Sequence, residues 1–285
     1  MSRGTERLVF HGAVPESEWD RMRAPFQDGK FPFPVKYGYA AVGLVEKGDD
    51  FAPGTPVFCL YPHQTRFAVP ADALVALPND LPPRRAVLAA NMETALNAVW
   101  DGGIGPGDRV TVVGGGVLGL LAAGLAAGIP GCDVAVVDTN PGRHDITEAL
   151  GARFEEPDRA TAQRDCVIHA SATPQGLQTA LGLAGPEANV VELSWYGTKT
   201  VPIDLGGAFH SLRLTLKSSQ VGAIPPARRP RWTHQRRLET ALSLLRDPVF
   251  DRLITDEVAF NDLPDRLPDI LGPNALGLAT AVRYD

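Results

Sequence analysis

Three groups of side chains stand out by their kind and their separation along the chain. The first is Gly114-Gly115-Gly116-Val117-Leu118-Gly119, which reads G-x-G-x-x-G, with Asp138 about 20 residues further on. Glycines so placed let the backbone turn tightly and approach an anion, while a helix opening at Val117 aims its first N–H groups at the same charge. The second is Lys36, Tyr37 and Tyr39, with His63 in the later stretch LYPHQTRF. A tyrosine beside an ammonium group is a candidate proton donor, and a histidine titrates near neutrality. The third is ARRPRWTHQRR, which sets Arg228, Arg229 and Arg231 beside Trp232 at the start of a helical pattern. The helix macrodipole disfavours cations at that end, and a bound anion, either a substrate carboxylate or phosphate or the pyrophosphate of a cofactor, offsets the cost. Each group also has a plain reading: Tyr39 as packing, His63 as a surface residue, the arginines as a solvated face or an acidic subunit interface.

The elements that must hold these groups follow from the apolar pattern. Residues 1 to about 90 are rich in proline and short alternating runs, with strands expected at Ala40–Glu46, Thr55–Leu60, Thr65–Val69 and Leu74–Leu77. A helix is expected from Ala86 to Trp100. Buried strands at Arg109–Val113, Asp133–Val137, Cys166–His169, Asn189–Leu193 and Leu214–Ser218 then alternate with helices, the pattern of an α/β fold with a doubly wound parallel sheet. The tail predicts a helix over Thr233–Arg246, a strand at Glu257–Phe260, a helix over Leu263–Leu271 and a last strand at Thr280–Arg283. The glycine loop falls between a strand and a glycine- and alanine-rich helix, and Asp138 ends the next strand, which is the context of a dinucleotide site. Gly114 serves the tight turn, Gly116 the approach to a pyrophosphate, and Gly119 the packing of helix on sheet. Asp138 suits both ribose hydroxyls and repels a 2′-phosphate, so NAD is expected, with Arg143 leaving NADP open.

The chain has 285 residues, 44% hydrophobic and 21% charged, enough for one large domain or two. A net charge of −6 gives no general attraction for nucleic acid or an anionic membrane. Cys59, Cys132 and Cys166 lie far apart with no C-x-x-C spacing, which argues against disulfides and a thiolate metal site and fits a reducing cytoplasm. The first residues lack the apolar core of a signal peptide, and the longest apolar runs contain glycine, so no membrane span is expected.

The order of parts, with the stretches GDRVTVVGGGVLGL, VVDTNPGR, VIHASATPQGLQTAL and LPDRLPDILGPNALGLATAVRYD, resembles the medium-chain dehydrogenase/reductases, the superfamily of zinc-type alcohol dehydrogenases. SRGTE followed by KYGYAAVG is most similar to a bacteriochlorophyllide-dehydrogenase-like branch. The resemblance implies a Rossmann NAD-binding domain at 92–220 within a discontinuous, β-rich, GroES-like catalytic domain, 1–91 with 221–285. It also implies a homodimer or homotetramer. The family has more chain ahead of Ser2–Glu6, so the catalytic domain is expected to be N-terminally shortened, with a longer native product or a subunit contact covering an open sheet edge.

Zinc-dependent members carry a cysteine, a His-Glu pair and a further cysteine or glutamate. The matching positions here hold Ser2 or Arg3, Tyr39-Ala40, and Ala90, and the family's four-cysteine lobe has no counterpart. Zinc needs three or four N, S or O donors at about 2.0 to 2.3 Å, so no metal is expected. The resemblance places Thr94 at the nicotinamide, Thr5 in the proton relay, and Ser171, Ala172, Leu193, Ser194 and Ser219 along the cofactor path. Tyr39 takes the place of the metal-ligand histidine and, with Lys36, His63 and Thr5, forms the expected catalytic set. The expected function is a zinc-independent NAD(H)-linked oxidoreductase for the alcohol/ketone pair of a fairly large anionic small molecule held by Arg228, Arg229, Arg231 and Trp232. Reduction of an activated C=C bond, as in enoyl or quinone reductases, is one alternative. A non-catalytic NAD(H) sensor is another.

Overall fold

The computed structural model describes residues 1, 3–273 and 275–284. Ser2, the alternative match to the family's first cysteine, lies outside the described residues. The chain forms two compact units, Met1–Ala90 with Gln235–Asp285, and Asn91–His234.

In the first unit, Pro15, Pro25, Pro32 and Pro34 remove backbone donors from the early chain. After a short helix α1 (Thr5–Phe10), which the sequence pattern did not indicate, and a 3-10 turn at Glu16–Glu18, the two-residue strands β1 (Asp28–Gly29) and β2 (Val35–Lys36) form, paired antiparallel. Strands β3 (Ala41–Leu44), β4 (Pro56–Cys59) and β5 (Leu74–Ala76) make an antiparallel sheet with β4 central, and Val57, Phe58 and Cys59 are buried. The strand expected at Thr65–Val69 does not form. There the rings of Phe67 and Tyr61 stack at 3.7 Å, so an aromatic contact takes the place of a ladder. The helix expected from Ala86 to Trp100 is two, α2 (Pro83–Ala86) and α3 (Ala89–Gly102), separated by a turn. Arg85 in α2 is buried and bonded to both carboxylate oxygens of Asp251, at 2.8 and 2.7 Å.

The second unit is built on β6 (Arg109–Val113), α4 (Val117–Ala127), β7 (Asp133–Val137), α5 (His144–Ala149), β8 (Arg153–Glu155), β9 (Arg164–His169), α6 (Pro174–Leu183), β10 (Ala184–Glu192) and β11 (Thr215–Ser218). Its six strands are all parallel, in the order β11-β10-β9-β6-β7-β8. Counted from β6, that is the Rossmann order, with the winding reversing between β6 and β9. Val110, Val112, Val136, Val167, Ile168 and Val190 are buried in it, as continuous apolar strands covered on both faces require. Edge strand β8 had no apolar run to announce it, and β10 starts five residues earlier than its pattern suggested because a register shift separates Ala184 from Asn189. Arg164 is 1% exposed at the start of β9. Its guanidinium donates to Thr111 Oγ1, Asp133 Oδ2 and the Val110 carbonyl at 2.8, 2.9 and 3.0 Å, tying three strands together.

Residues 221–234 belong to this second unit, where Trp232 packs on Trp100 of α3 with ring centres 4.5 Å apart. Helix α7 (His234–Leu244) begins at the boundary, and the chain continues in the first unit with β12 (Ile254–Ala259), α8 (Leu263–Leu271) and β13 (Ala279–Arg283), the last pairing parallel with β12. Val258, Leu263, Ile270 and Leu271 form a small core with Phe10 and Phe260. Among the described residues no helix is long and apolar enough to cross a membrane.

Candidate functional site

The glycine loop joins β6 to α4 at the reversal of the sheet order, where a doubly wound sheet leaves a crevice for a ligand. Gly114 has φ +113°, and a Cβ on it would lie 2.6 Å from the Ser171 backbone nitrogen. A Cβ on Gly119 would run into the Gly114 carbonyl oxygen. Both positions therefore demand glycine, one for the turn and one for the contact of helix on strand. Gly116 precedes α4 with no side-chain cap, and a Cβ on it would meet nothing within 4 Å. The first turn of α4, from Val117 and Leu118, thus opens uncapped beside unfilled space, as a phosphate site requires.

Asp138 stands just past β7. Its Oδ2 accepts the N–H of Gly115 at 2.6 Å and its Oδ1 accepts that of Asn140 at 2.7 Å. A Cβ on Gly115 would lie 3.2 Å from both Asp138 Oδ2 and Arg143 Cγ, so these three residues converge. A carboxylate with lone pairs to spare beside an uncapped helix start fits the ribose and pyrophosphate of a dinucleotide.

Ser171, Ala172, Leu193 and Ser194 gather at the carboxyl ends of β9 and β10. The structure adds three residues that the sequence did not single out as a site. His169, fully buried, bonds through Nδ1 to Glu192 at 2.8 Å and through Nε2 to Ser171 Oγ at 2.7 Å. The Tyr196 hydroxyl donates to Glu192 at 3.0 Å, and burial followed by the Glu192 charge pushes the phenol's pKa well above its ordinary value. The only signal for this group was a histidine and a glutamate closing neighbouring strands, and their pairing appears only in the β9–β10 register.

Other expected contacts are placed as follows. Ser219 is buried, and its hydroxyl donates to Asp101 at 2.8 Å in a cluster with Asn97 and Lys217. Thr94 is half-buried on α3. The Arg228 guanidinium lies 5.2 Å from the centre of the Trp100 ring, Trp232 packs on the same ring, and Arg229 donates to the Ile224 carbonyl at 2.8 Å. Arg231 is exposed.

In the first unit, Thr5 opens α1 and Glu6 behind it is buried. His63 Nε2 faces Glu6 at 3.4 Å and His63 Nδ1 faces the Tyr284 hydroxyl at 3.0 Å. Gly38, at φ +138°, lets residues 37–39 pass close to this histidine, since a Cβ there would lie 3.0 Å from the His63 nitrogen. The rings of Tyr37 and Tyr39 meet edge to face at 6.0 Å. Lys36 donates to Gln64 Oε1 at 2.5 Å and lies 5.9 Å from the centre of the Tyr61 ring. Burial raises the Tyr284 phenol to about 12 and lifts Tyr37 further, with the Glu6 charge adding to both. Two neutral phenols and a histidine thus surround one buried carboxyl group, and the sequence had indicated only the histidine and the Tyr37–Tyr39 pair.

Among the described residues no three His, Cys, Asp or Glu side chains are placed to hold a metal ion. The phenol of Tyr39 and the methyl groups of Ala40 and Ala90 do not make the donor set that a tetrahedral zinc needs.

The sheet order, the glycine loop and Asp138 define a Rossmann dinucleotide-binding unit in a chain whose other unit is rich in short strands. A family model described as alanine dehydrogenase/PNT, C-terminal domain, matches residues 89–184. D-xylulose reductase A of Aspergillus niger is 28% identical over 127 residues, which are 44% of this chain and 36% of that protein, so only about a third of that relative is spanned. D-guloside 3-dehydrogenase of Escherichia coli K12 is 25% identical over 294 residues, covering 92% of this chain and 83% of the relative. The solved structure of galactitol-1-phosphate dehydrogenase from Escherichia coli matches with a TM-score of 0.72 at 18% identity, covering 94% of this chain and 88% of that one. The chain is thus similar in sequence to polyol and sugar dehydrogenases and shares its fold with the solved galactitol-1-phosphate dehydrogenase.

Proposed function

We propose that this chain is an NAD(H)-linked oxidoreductase that interconverts an alcohol and a ketone on an anionic polyol- or sugar-type small molecule, without zinc. The observation that carries the reading is Asp138, bonded to the glycine loop through Gly115 at the crevice of a Rossmann sheet. Its carboxylate favours free ribose hydroxyls over a 2′-phosphate, hence NAD, and Arg143 beside it makes NADP the competitor to measure.

A bound nicotinamide supplies the hydride acceptor or donor. The chain's own task is to bind the substrate and to hold and move a proton. With Glu6 as acceptor, His63 keeps its proton on Nε2 and takes the Tyr284 O–H at Nδ1, so a proton can pass between Tyr284 and Glu6 through the ring. Tyr39, edge-on to Tyr37, is the candidate donor to the substrate oxygen, and Lys36 and Thr5 are assigned to the same catalytic set. Arg228, Arg229, Arg231 and Trp232 are assigned to the substrate's anionic group, and a polyol phosphate is named for the Escherichia coli structural neighbour. The absence of zinc is inferred from Tyr39, Ala40 and Ala90 at the ligand positions. Three free cysteines support a cytoplasmic setting, and family habit supports a homodimer or homotetramer.

The test is titration with NADH and NADPH by fluorescence, followed by turnover with polyols, polyol phosphates and glycosides. NADH binding with turnover of an anionic polyol supports the reading. Tight NADH binding without any turnover favours the sensor instead, and no binding of either nucleotide would sink both.

A further inference from the structure

Glu192, His169 and Ser171 are joined in series at the ends of β9 and β10, and the donors around them determine the direction of every hydrogen bond. Glu192 already accepts from the Ser194 backbone N–H at 2.7 Å and from the Tyr196 hydroxyl at 3.0 Å, so it is an acceptor toward His169 as well. The proton shared at 2.8 Å between Glu192 Oε2 and His169 therefore sits on Nδ1. In the neutral imidazole that leaves a lone pair on Nε2, which takes the Ser171 O–H at 2.7 Å. Thr173 Oγ1 accepts the Gly176 N–H at 3.0 Å and so turns its own proton to Ser171 Oγ, also at 3.0 Å. Ser171 is left as a hydroxyl whose proton points at a histidine base, and that base is oriented by a carboxylate.

Two glycines make room for Ser171. A Cβ on Gly176 would collide with Ser171 Oγ and lie 2.8 Å from His169 Nε2, and one on Gly114 would press on the Ser171 backbone. Gly176 belongs to the first turn of α6, so negative charge developing beside Ser171 forms at the positive end of a ten-residue helix. Ser171 itself is only half-buried, while His169 is sealed at 0% exposure.

We propose that Ser171, His169 and Glu192 form an acyl-transfer triad that cleaves activated carboxylic esters, an activity separate from hydride transfer. Ser171 Oγ bonds to the acyl carbon as its proton passes to His169 Nε2. The bond from that carbon to the leaving oxygen then breaks, and the imidazolium returns the proton to the departing oxygen. Water repeats the sequence on the acyl-serine, giving its proton through His169 and releasing the carboxylic acid with Ser171 restored. Glu192, with Tyr196 and the Ser194 N–H holding its carboxylate, keeps the ring in the required tautomer and orientation.

The test uses the whole chain with a fluorophosphonate probe and with p-nitrophenyl acetate, and it does not depend on the dehydrogenase reading. The expected result is one phosphonyl adduct per chain, mapped to Ser171, and ester hydrolysis that Ser171→Ala abolishes. Glu192→Gln should slow both reactions by on the order of 10²-fold or more. Gly176→Ala keeps all three triad side chains in the sequence but sets a Cβ against Ser171 Oγ and His169 Nε2, so it should displace the hydroxyl and lower the adduct yield. Because His169 is buried and its substitution risks unfolding, the wild-type adduct is the deciding measurement. No adduct on Ser171 in folded wild-type protein, or hydrolysis unchanged in a folded Ser171→Ala variant, would overturn the proposal.

Discussion

The side chain of Asp138 is held against the glycine loop by the backbone N–H of Gly115, 2.6 Å from its Oδ2. The residue that would read the ribose and the loop that would bind the pyrophosphate are therefore one unit, 23 residues apart in sequence and bonded directly. Replacing Asp138 by alanine should weaken NADH binding by about tenfold or more, since a hydrogen bond to a charged group is worth roughly 1.5 to 3 kcal/mol. NADPH binding should hold or improve, because a repelling charge is gone while Arg143 stays. Paired fluorescence titrations check this; equal losses for both nucleotides would place Asp138 away from the ribose.

Gly119 has no room for a side chain, since any Cβ would strike the Gly114 carbonyl oxygen. Gly119→Ala should cost about 3 kcal/mol of stability, because helix α4 must move off β6 to admit it. Urea unfolding measures that cost, and dinucleotide binding should fall with it. A stable variant that binds NADH normally would show that the contact between loop and helix is dispensable.

The cluster around Glu6 is expected to act in proton transfer and not in cofactor binding. Tyr284→Phe and His63→Ala should each lower kcat by on the order of 10²-fold while the NADH dissociation constant stays put. Steady-state kinetics with the best substrate from the panel, beside a nucleotide titration, separates the two effects. Activity that survives both changes would remove this cluster from the mechanism and leave Tyr39 as the candidate.

Metal analysis of protein purified without chelator should give fewer than about 0.1 zinc per chain, since Tyr39, Ala40 and Ala90 do not supply a tetrahedral donor set. Dialysis against EDTA should leave the melting temperature and NADH binding unchanged. Stoichiometric zinc would mean that other residues bind it.

Stability should decline on the alkaline side. Burial raises the Cys59 thiol from 9 to about 11, and burial, helped by Asp108 and Asp165, raises the Cys166 thiol to about 12. The Tyr284 phenol moves from 10 to about 12. In the unfolded chain these groups lose their protons at the lower, ordinary values, so above about pH 9 the unfolded state binds fewer protons than the native one. Their contribution is complete below that point and is lost as pH rises through 11 to 12. Urea midpoints that hold level from neutral pH into this range would show that the three groups are not buried.

Sequence by itself determined the parts that depend on near neighbours. Strands β6 and β7 and helix α8 fall where the apolar pattern put them, and the glycine loop was readable because one turn and one helix start contain everything that its spacing encodes. Strand β8 escaped because three residues with a single aromatic carry no period, and the loop after Thr65 stays out of a ladder because Phe67 stacks on Tyr61. Tertiary structure alone decided which distant groups meet. His63 and Tyr284 are 221 positions apart, and His169 and Glu192 are 23 apart on separate strands, so chain closure and sheet register set their contacts. Spacing along the chain can specify a turn, a cap or one face of a helix. A proton path between strands or between chain ends exists only once the sheet and the core have brought its members within hydrogen-bond distance.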